Sequence, residues 1–147
     1  MQLNVYLAGE IHTDWRETIV TACEGLDIDW FGPVTDHDAS DDCGVEIFGA
    51  ESDKFWHDRK GALLNAVRIR TGIERADVLV VCFGEKYRQW NAAFDAGYAA
   101  ALGKPIIVLH PPEFDHALKE VDAAANAVAR TPGEVARALR YLVTGAL

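Results

Sequence analysis

The sequence predicts one doubly wound α/β domain over residues 1–147, with about five parallel strands in the order 2-1-3-4-5 and helices on both faces. Short, uninterrupted β-branched runs recur along the chain, as in strands buried on both faces of a parallel sheet. Stretches of helical period separate them, and Gly and Pro punctuate the boundaries.

Leu3 to Ala8 forms the first such run and stops at Gly9. Asp14 then stands where it caps a helix, with Glu17 completing a capping box. Trp15, Ile19, Ala22, Cys23 and Leu26 follow on one face of that helix. Ile28 to Phe31, before Gly32-Pro33, is a weaker second strand. Asp36 to Asp42 reads as a solvated acidic loop after it; the glycine a calcium loop needs at its sixth position is Asp41 here. From Asp41 to Asp58 no apolar period is sustained, and the segment reads as irregular. Ala62, Ala66, Ile69 and Ile73 make the next helical stripe, leading into a third strand from Asp77 to Phe83. An alanine-rich helix spans Asn91 to Leu102, with Gly103 and Pro105 as its stop. Pro105 to Leu109 is the fourth strand, ended by His110-Pro111-Pro112, and Ala125 to Ala129 is a weaker fifth. Thr131-Pro132-Gly133-Glu134 opens the last helix, whose buried face is Val135, Ala138, Leu139 and Leu142.

Composition narrows the function. Half of the 147 residues are hydrophobic and 10% aromatic, which excludes intrinsic disorder. Lys and Arg total 14 against 23 Asp and Glu, a net charge of −9, so nucleic acid polymers and anionic membrane surfaces are poor partners. A small ligand gripped locally is compatible with this charge. No apolar run has the length of a membrane span, and Met1 to Tyr6 has no signal-peptide character. Cys23, Cys43 and Cys82 lie far apart with no Cys-x-x-Cys, and the simplest compartment is a reducing cytoplasm, with Cys23 and Cys82 in the core. The histidines 12, 37, 57, 110 and 116 show no metal-ligand spacing, so no metal is expected. Neither a dinucleotide fingerprint nor a P-loop is present, and no cofactor is expected.

Ligands in such sheets bind beyond the carboxyl ends of the strands. That rule selects Gly9-Glu10-Ile11-His12, Gly84 to Asp95, and the segment from His110. Asp95 stands out: a carboxylate about one turn into an apolar, small-residue helix, partly buried and facing the field of the helix N-terminus. Tyr6, near the end of a central strand, offers a ring to stack or a hydroxyl for a carboxylate. Gly9 allows a tight turn and close backbone approach. Trp90 and Tyr87 present flat faces for a base, and Arg68 and Arg70 could reach a phosphate.

These residues match known patterns. Tyr6-Leu7-Ala8-Gly9, Ala76-Asp77, Asp95-Ala96-Gly97-Tyr98-Ala99 and Leu102-Gly103-Lys104-Pro105 resemble the nucleoside 2-deoxyribosyltransferase superfamily. Val5 to His12, Gly84-Glu85-Lys86-Tyr87, Gln89-Trp90-Asn91 and Asp95 to Tyr98 resemble, more closely and over nearly the whole chain, the bacterial YtoQ family within it. The resemblance implies a flavodoxin-like fold and enzymes that break or exchange N-glycosidic bonds. It implies Asp95 as the carboxylate nucleophile, where the superfamily has glutamate in E-x-G, and Tyr6 as its positioner. Gln89-Trp90-Asn91 replaces a common Asp-x-Gly, and Glu10 replaces a common proline.

The expected activity is therefore transfer or hydrolysis at a nucleoside or nucleotide N-glycosidic bond, with Gly9, Glu10, His12, Arg68, Glu85, Gln89, Trp90 and Asn91 around the substrate. The alternative is a nucleotide- or metabolite-binding protein without catalysis; a poorer one is another reaction using Glu85 or His12 as general base. A homo-oligomer, most simply a two-fold dimer, is expected, with Phe48, Phe55 and Trp56 of segment 41–58 near both the interface and the mouth of the site.

Overall fold

A computed structural model of the chain describes residues 1–86 and 88–147. Five strands, β1 (Leu3–Gly9), β2 (Ile28–Phe31), β3 (Val78–Cys82), β4 (Ile106–Leu109) and β5 (Ala127–Ala129), pair in parallel in the order β2-β1-β3-β4-β5. This is the order expected from the alternating pattern. β1 lies centrally, with Val5 opposite both Trp30 of β2 and Val78 of β3.

Because side chains alternate across a strand, the sheet divides its apolar residues between two cores. Leu3, Val5 and Leu7, with Val78, Val80, Ile107 and Leu109, face α1 (Trp15–Ala22) and α6 (Pro132–Thr144), which contribute Trp15, Ile19, Val135 and Leu139. Tyr6, Ala8, Leu79, Val81, Ile106 and Val108 face α3 (Lys54–Arg75) and α4 (Trp90–Ala101), which contribute Ile73, Ala92, Ala96 and Ala99. Cys23 and Cys82 are buried, as expected. The short α5 (Lys119–Ala123), preceded by a 3-10 turn at Pro112–Phe114, had no sequence signal and sits by the second core through Phe114, Leu118 and Val121.

Three local expectations are corrected. Asp14 is the N-cap of α1, but its φ/ψ of −88°/18° is not the extended conformation a side-chain cap requires, and its side chain makes no cap hydrogen bond. Asp36 to Asp42 is no loop: Asp36 is extended, accepts from the Ala39 N–H at 2.8 Å, and starts α2 (His37–Phe48). The supposedly irregular 41–58 segment is the rest of α2, a short link, and the first turn of the 22-residue α3. The reason is glycine. A Cβ on Gly44 would lie 2.4 Å from the Gly61 nitrogen, and one on Gly61 would lie 2.7 Å from the Asp41 carbonyl oxygen. The two helices meet backbone to backbone, so no apolar stripe is needed to hold them.

Among the described residues, no helix is long and apolar enough to cross a membrane.

Candidate active site

The cleft is built where β1 and β3 end. Gly9 has φ of +113°, and a Cβ there would lie 2.1 Å from the Cys82 carbonyl oxygen, so only glycine lets β1 turn against β3. The Glu10 N–H then donates to that same oxygen at 3.1 Å.

The loop beyond is wired from within. The Glu10 carboxylate is buried and accepts from the N–H groups of His12 (2.6 Å) and Thr13 (3.2 Å) and from the Thr13 hydroxyl. The buried Arg16 guanidinium donates to the carbonyls of Leu7 (3.1 Å), Gly9 (3.0 Å) and Glu10 (2.5 Å), and the Trp15 indole N–H also reaches Glu10 O at 2.9 Å. Burial pulls Arg16 below the usual guanidinium range, and the Glu10 charge opposes that pull. Glu10 is packed close enough that a Cβ on Gly84 would lie 2.9 Å from its Cγ. Glu10, expected around the substrate, does line the cleft, and its oxygens hold the loop's shape.

A cleft of about 670 Å³ opens between this loop, the α2–α3 pair and the start of α4. Of the residues singled out from sequence, Gly9, Glu10, His12, Arg68, Gln89, Trp90, Asn91 and Asp95 all line it. Glu85 is exposed and does not. Tyr87 lies outside the described residues. Trp90 is 73% exposed, a ring presented to solvent at the cleft edge.

Asp95 sits in the second turn of α4, half-buried, and burial pushes its carboxyl up to about 7. Desolvation outweighs the field of the helix N-terminus, which decays within the first turn. Among the described residues it makes no hydrogen bond or ion pair. Tyr6 is 1% exposed and is not among the residues that line the cleft, and its hydroxyl has no hydrogen-bond partner among the described residues. Burial raises the Tyr6 phenol first and the Asp95 charge raises it further, while the Arg68 charge opposes both. Those three groups therefore share one electrostatic neighbourhood. Gly72 of α3 makes room for the ring: a Cβ there would lie 2.5 Å from Tyr6 Cε2.

Sequence reading missed Arg16, Thr13 and Gly72, and also Lys54 and Arg88, which join the cleft wall. A glycine inside a helix costs about 1 kcal/mol relative to alanine, and that is the signal Gly72 carried. Arg16 had none, because one arginine beside a tryptophan looks like any surface charge.

Away from the cleft, His110 is buried at the end of β4 with Nε2 3.1 Å from both Asp122 carboxylate oxygens. His110, Asp115 and Asp122 are the one group among the described residues that brings three metal-ligating side chains within 4.8 Å of one another. Arg130 Nη1 stands 2.6 Å from Asp115 and 3.3 Å from His110 Nδ1, so a guanidinium already supplies the cation there. The network ties β4 to α5 and to the end of β5.

With this geometry, comparison with known proteins is informative. The chain is 42% identical over 144 residues to the uncharacterized protein YtoQ of Bacillus subtilis (strain 168), covering 97% of both. Its fold is similar to that of a conserved protein from Enterococcus faecalis V583 (TM-score 0.63, 16% identity, 97% of this chain and 99% of the other). A 2-deoxyribosyltransferase from Bacillus psychrosaccharolyticus (TM-score 0.55, 15% identity, 90% of each chain) shares it. So does the CMP N-glycosidase of Clostridium botulinum (TM-score 0.54, 14% identity, 93% of this chain and 98% of the other). Residues 6–143 match the family model described as nucleoside 2-deoxyribosyltransferase YtoQ, and the chain belongs to that family.

Proposed function

We propose that this protein breaks or exchanges the N-glycosidic bond of a nucleoside or nucleotide. The observation that carries the reading is Asp95: a half-buried carboxylate without an ion-pair partner among the described residues, lining a ligand-sized cleft beside the buried Tyr6 hydroxyl. In its ionised form Asp95 attacks the anomeric carbon. A carboxylate C–O bond forms as the C–N bond breaks, and the departing base takes a proton from solvent in the open cleft. Water, or a second base, then displaces the carboxylate from the glycosyl ester and frees Asp95 again. Tyr6 limits the carboxylate's orientation, and Trp90 and Asn91 border the base. The family membership and the names borne by two fold neighbours support this class of reaction.

The test is product analysis on a panel of nucleosides and nucleoside monophosphates, read as free base. Release is expected from the native protein and not from Asp95→Ala. Equal release by that variant refutes the nucleophile, and binding without release from any substrate favours a non-catalytic binding protein.

We infer in addition that the protein assembles as a two-fold dimer with segment 41–58 near the interface. Phe48 and Phe55 are each 63% exposed and Trp56 is 53% exposed, and the last continues into Leu63 and Val67 along one face of α3. Light scattering during size exclusion tests this: a 16.1 kDa particle at micromolar concentration refutes it. Phe55→Asp with Trp56→Asp is expected to give monomers.

A further inference from the structure

We propose that the cleft takes a phosphomonoester, so that its substrate is a nucleoside monophosphate rather than a free nucleoside, with Arg68 as the principal phosphate contact. The inference rests on the cleft being the substrate site, and it adds which substrate class fits.

The chain has 23 Asp and Glu against 14 Lys and Arg, so carboxylates outnumber the cations they can pair with. Yet Arg68, Arg70 and Arg88 all line this one cleft, and none makes a hydrogen bond or ion pair through its guanidinium among the described residues. The acids in the cleft are occupied otherwise. Glu10 accepts from its own loop. Asp41 stands 3.5 Å from a His37 ring nitrogen and Asp58 stands 3.3 Å from one of His57. Burial raises the Asp95 carboxyl to about 7, so near neutral pH it is only partly ionised. In a protein of net charge −9 the cleft lining thus sets Lys54, Arg68, Arg70 and Arg88 against Glu10, Asp41, Asp58 and Asp95, with none of the three guanidiniums ion-paired among the described residues.

A neutral nucleoside leaves those guanidiniums unpaired. A phosphate monoester brings a charge near −2 and three acceptor oxygens, which guanidinium forks match in shape as well as sign. The placement suits one small ligand: Arg68 and Asp95 both line the same cleft, so a phosphate contact and the reacting carboxylate border one volume. A cleft of about 670 Å³ lies within the range, roughly 300–1,000 Å³, of pockets that enclose such ligands.

Calorimetry with ribose 5-phosphate, ribose and inorganic phosphate tests the site without any chemistry. Ribose 5-phosphate is expected to bind at least about 10-fold more tightly than either of the others. Arg68→Ala is expected to weaken that binding about 10- to 100-fold, with Arg68→Lys in between because it keeps the charge and loses the fork. In turnover, kcat/KM for a monophosphate is expected to exceed that for its nucleoside, and the ratio to fall toward one in Arg68→Ala. Ribose binding as well as its phosphate, inorganic phosphate binding as well as ribose 5-phosphate, or a preference that survives Arg68→Ala would each overturn the proposal. The two readings fail separately. Arg68-dependent phosphate binding without base release from any substrate overturns the Asp95 chemistry alone. Equal kcat/KM for nucleoside and monophosphate overturns the phosphate site alone.

Discussion

Replacing Asp95 by asparagine separates what the site does from what it costs the fold. Burial moves this carboxyl from its ordinary 3.8 up to about 7. A group whose pKa is raised on folding contributes stability below its unfolded value and loses it as pH rises through its folded value. The window is therefore from 3.8 to about 7, with stability falling as pH rises. At 1.36 kcal/mol per pH unit the full penalty above that window is ~4 kcal/mol. The cleft is open to water, and solvent screening reduces this to about 2 kcal/mol. Asparagine has nearly the same shape and no charge to desolvate. Urea unfolding of wild type and Asp95→Asn across this range should show no gain for the variant at the acid end, a gain growing through the window, and a plateau of about 2 kcal/mol above it. Base release should be lost at every pH. A gain that does not change with pH, or a variant less stable than wild type at about pH 8, refutes the argument that ionised Asp95 is paid for by the fold.

Three further outcomes follow from the same geometry. Tyr6→Phe removes a buried hydroxyl that has no partner among the described residues, so chemical denaturation should show unchanged or up to about 1 kcal/mol higher stability while kcat falls. Gly72→Ala, whose Cβ would lie 2.5 Å from the Tyr6 ring, should lower both stability, by about 1–3 kcal/mol, and kcat. Glu10→Gln presents an amide N–H₂ to donors and removes the charge that faces buried Arg16, and should cost about 2–3 kcal/mol in urea unfolding together with weakened ligand binding.

How legible the protein was depends on how each element is held. β1, β3 and β4 are buried on both faces, so their apolar runs are continuous and their order follows from the connections. The start of α6 was legible because Thr131 accepts from the Glu134 N–H, a contact local in sequence. α2 and the start of α3 were not, because they are joined through Gly44 and Gly61, and a glycine contact leaves no hydrophobic period to find. Asp14 carried the right residue type for a cap, but the loop held by Glu10, Thr13 and Arg16 fixes its backbone in another conformation.

The same division runs through the site. Asp95 and Tyr6 drew notice because each is a polar group placed where apolar residues are the rule, and that misfit is visible from one sequence. The residues that hold them are of the opposite kind. Gly9 and Gly72 act through atoms they lack, and what matters is the Cys82 carbonyl or the Tyr6 ring that a Cβ would strike. Arg16 acts by closing a ring of three carbonyls that meet only once β1 has turned against β3. Such contacts exist only between segments already brought together, so a lone sequence shows the reactive groups before it shows what aims them. Arg68 lies between these cases. Its charge was plain, and its meaning came from the carboxylates that the fold engages elsewhere and so leaves unavailable to it.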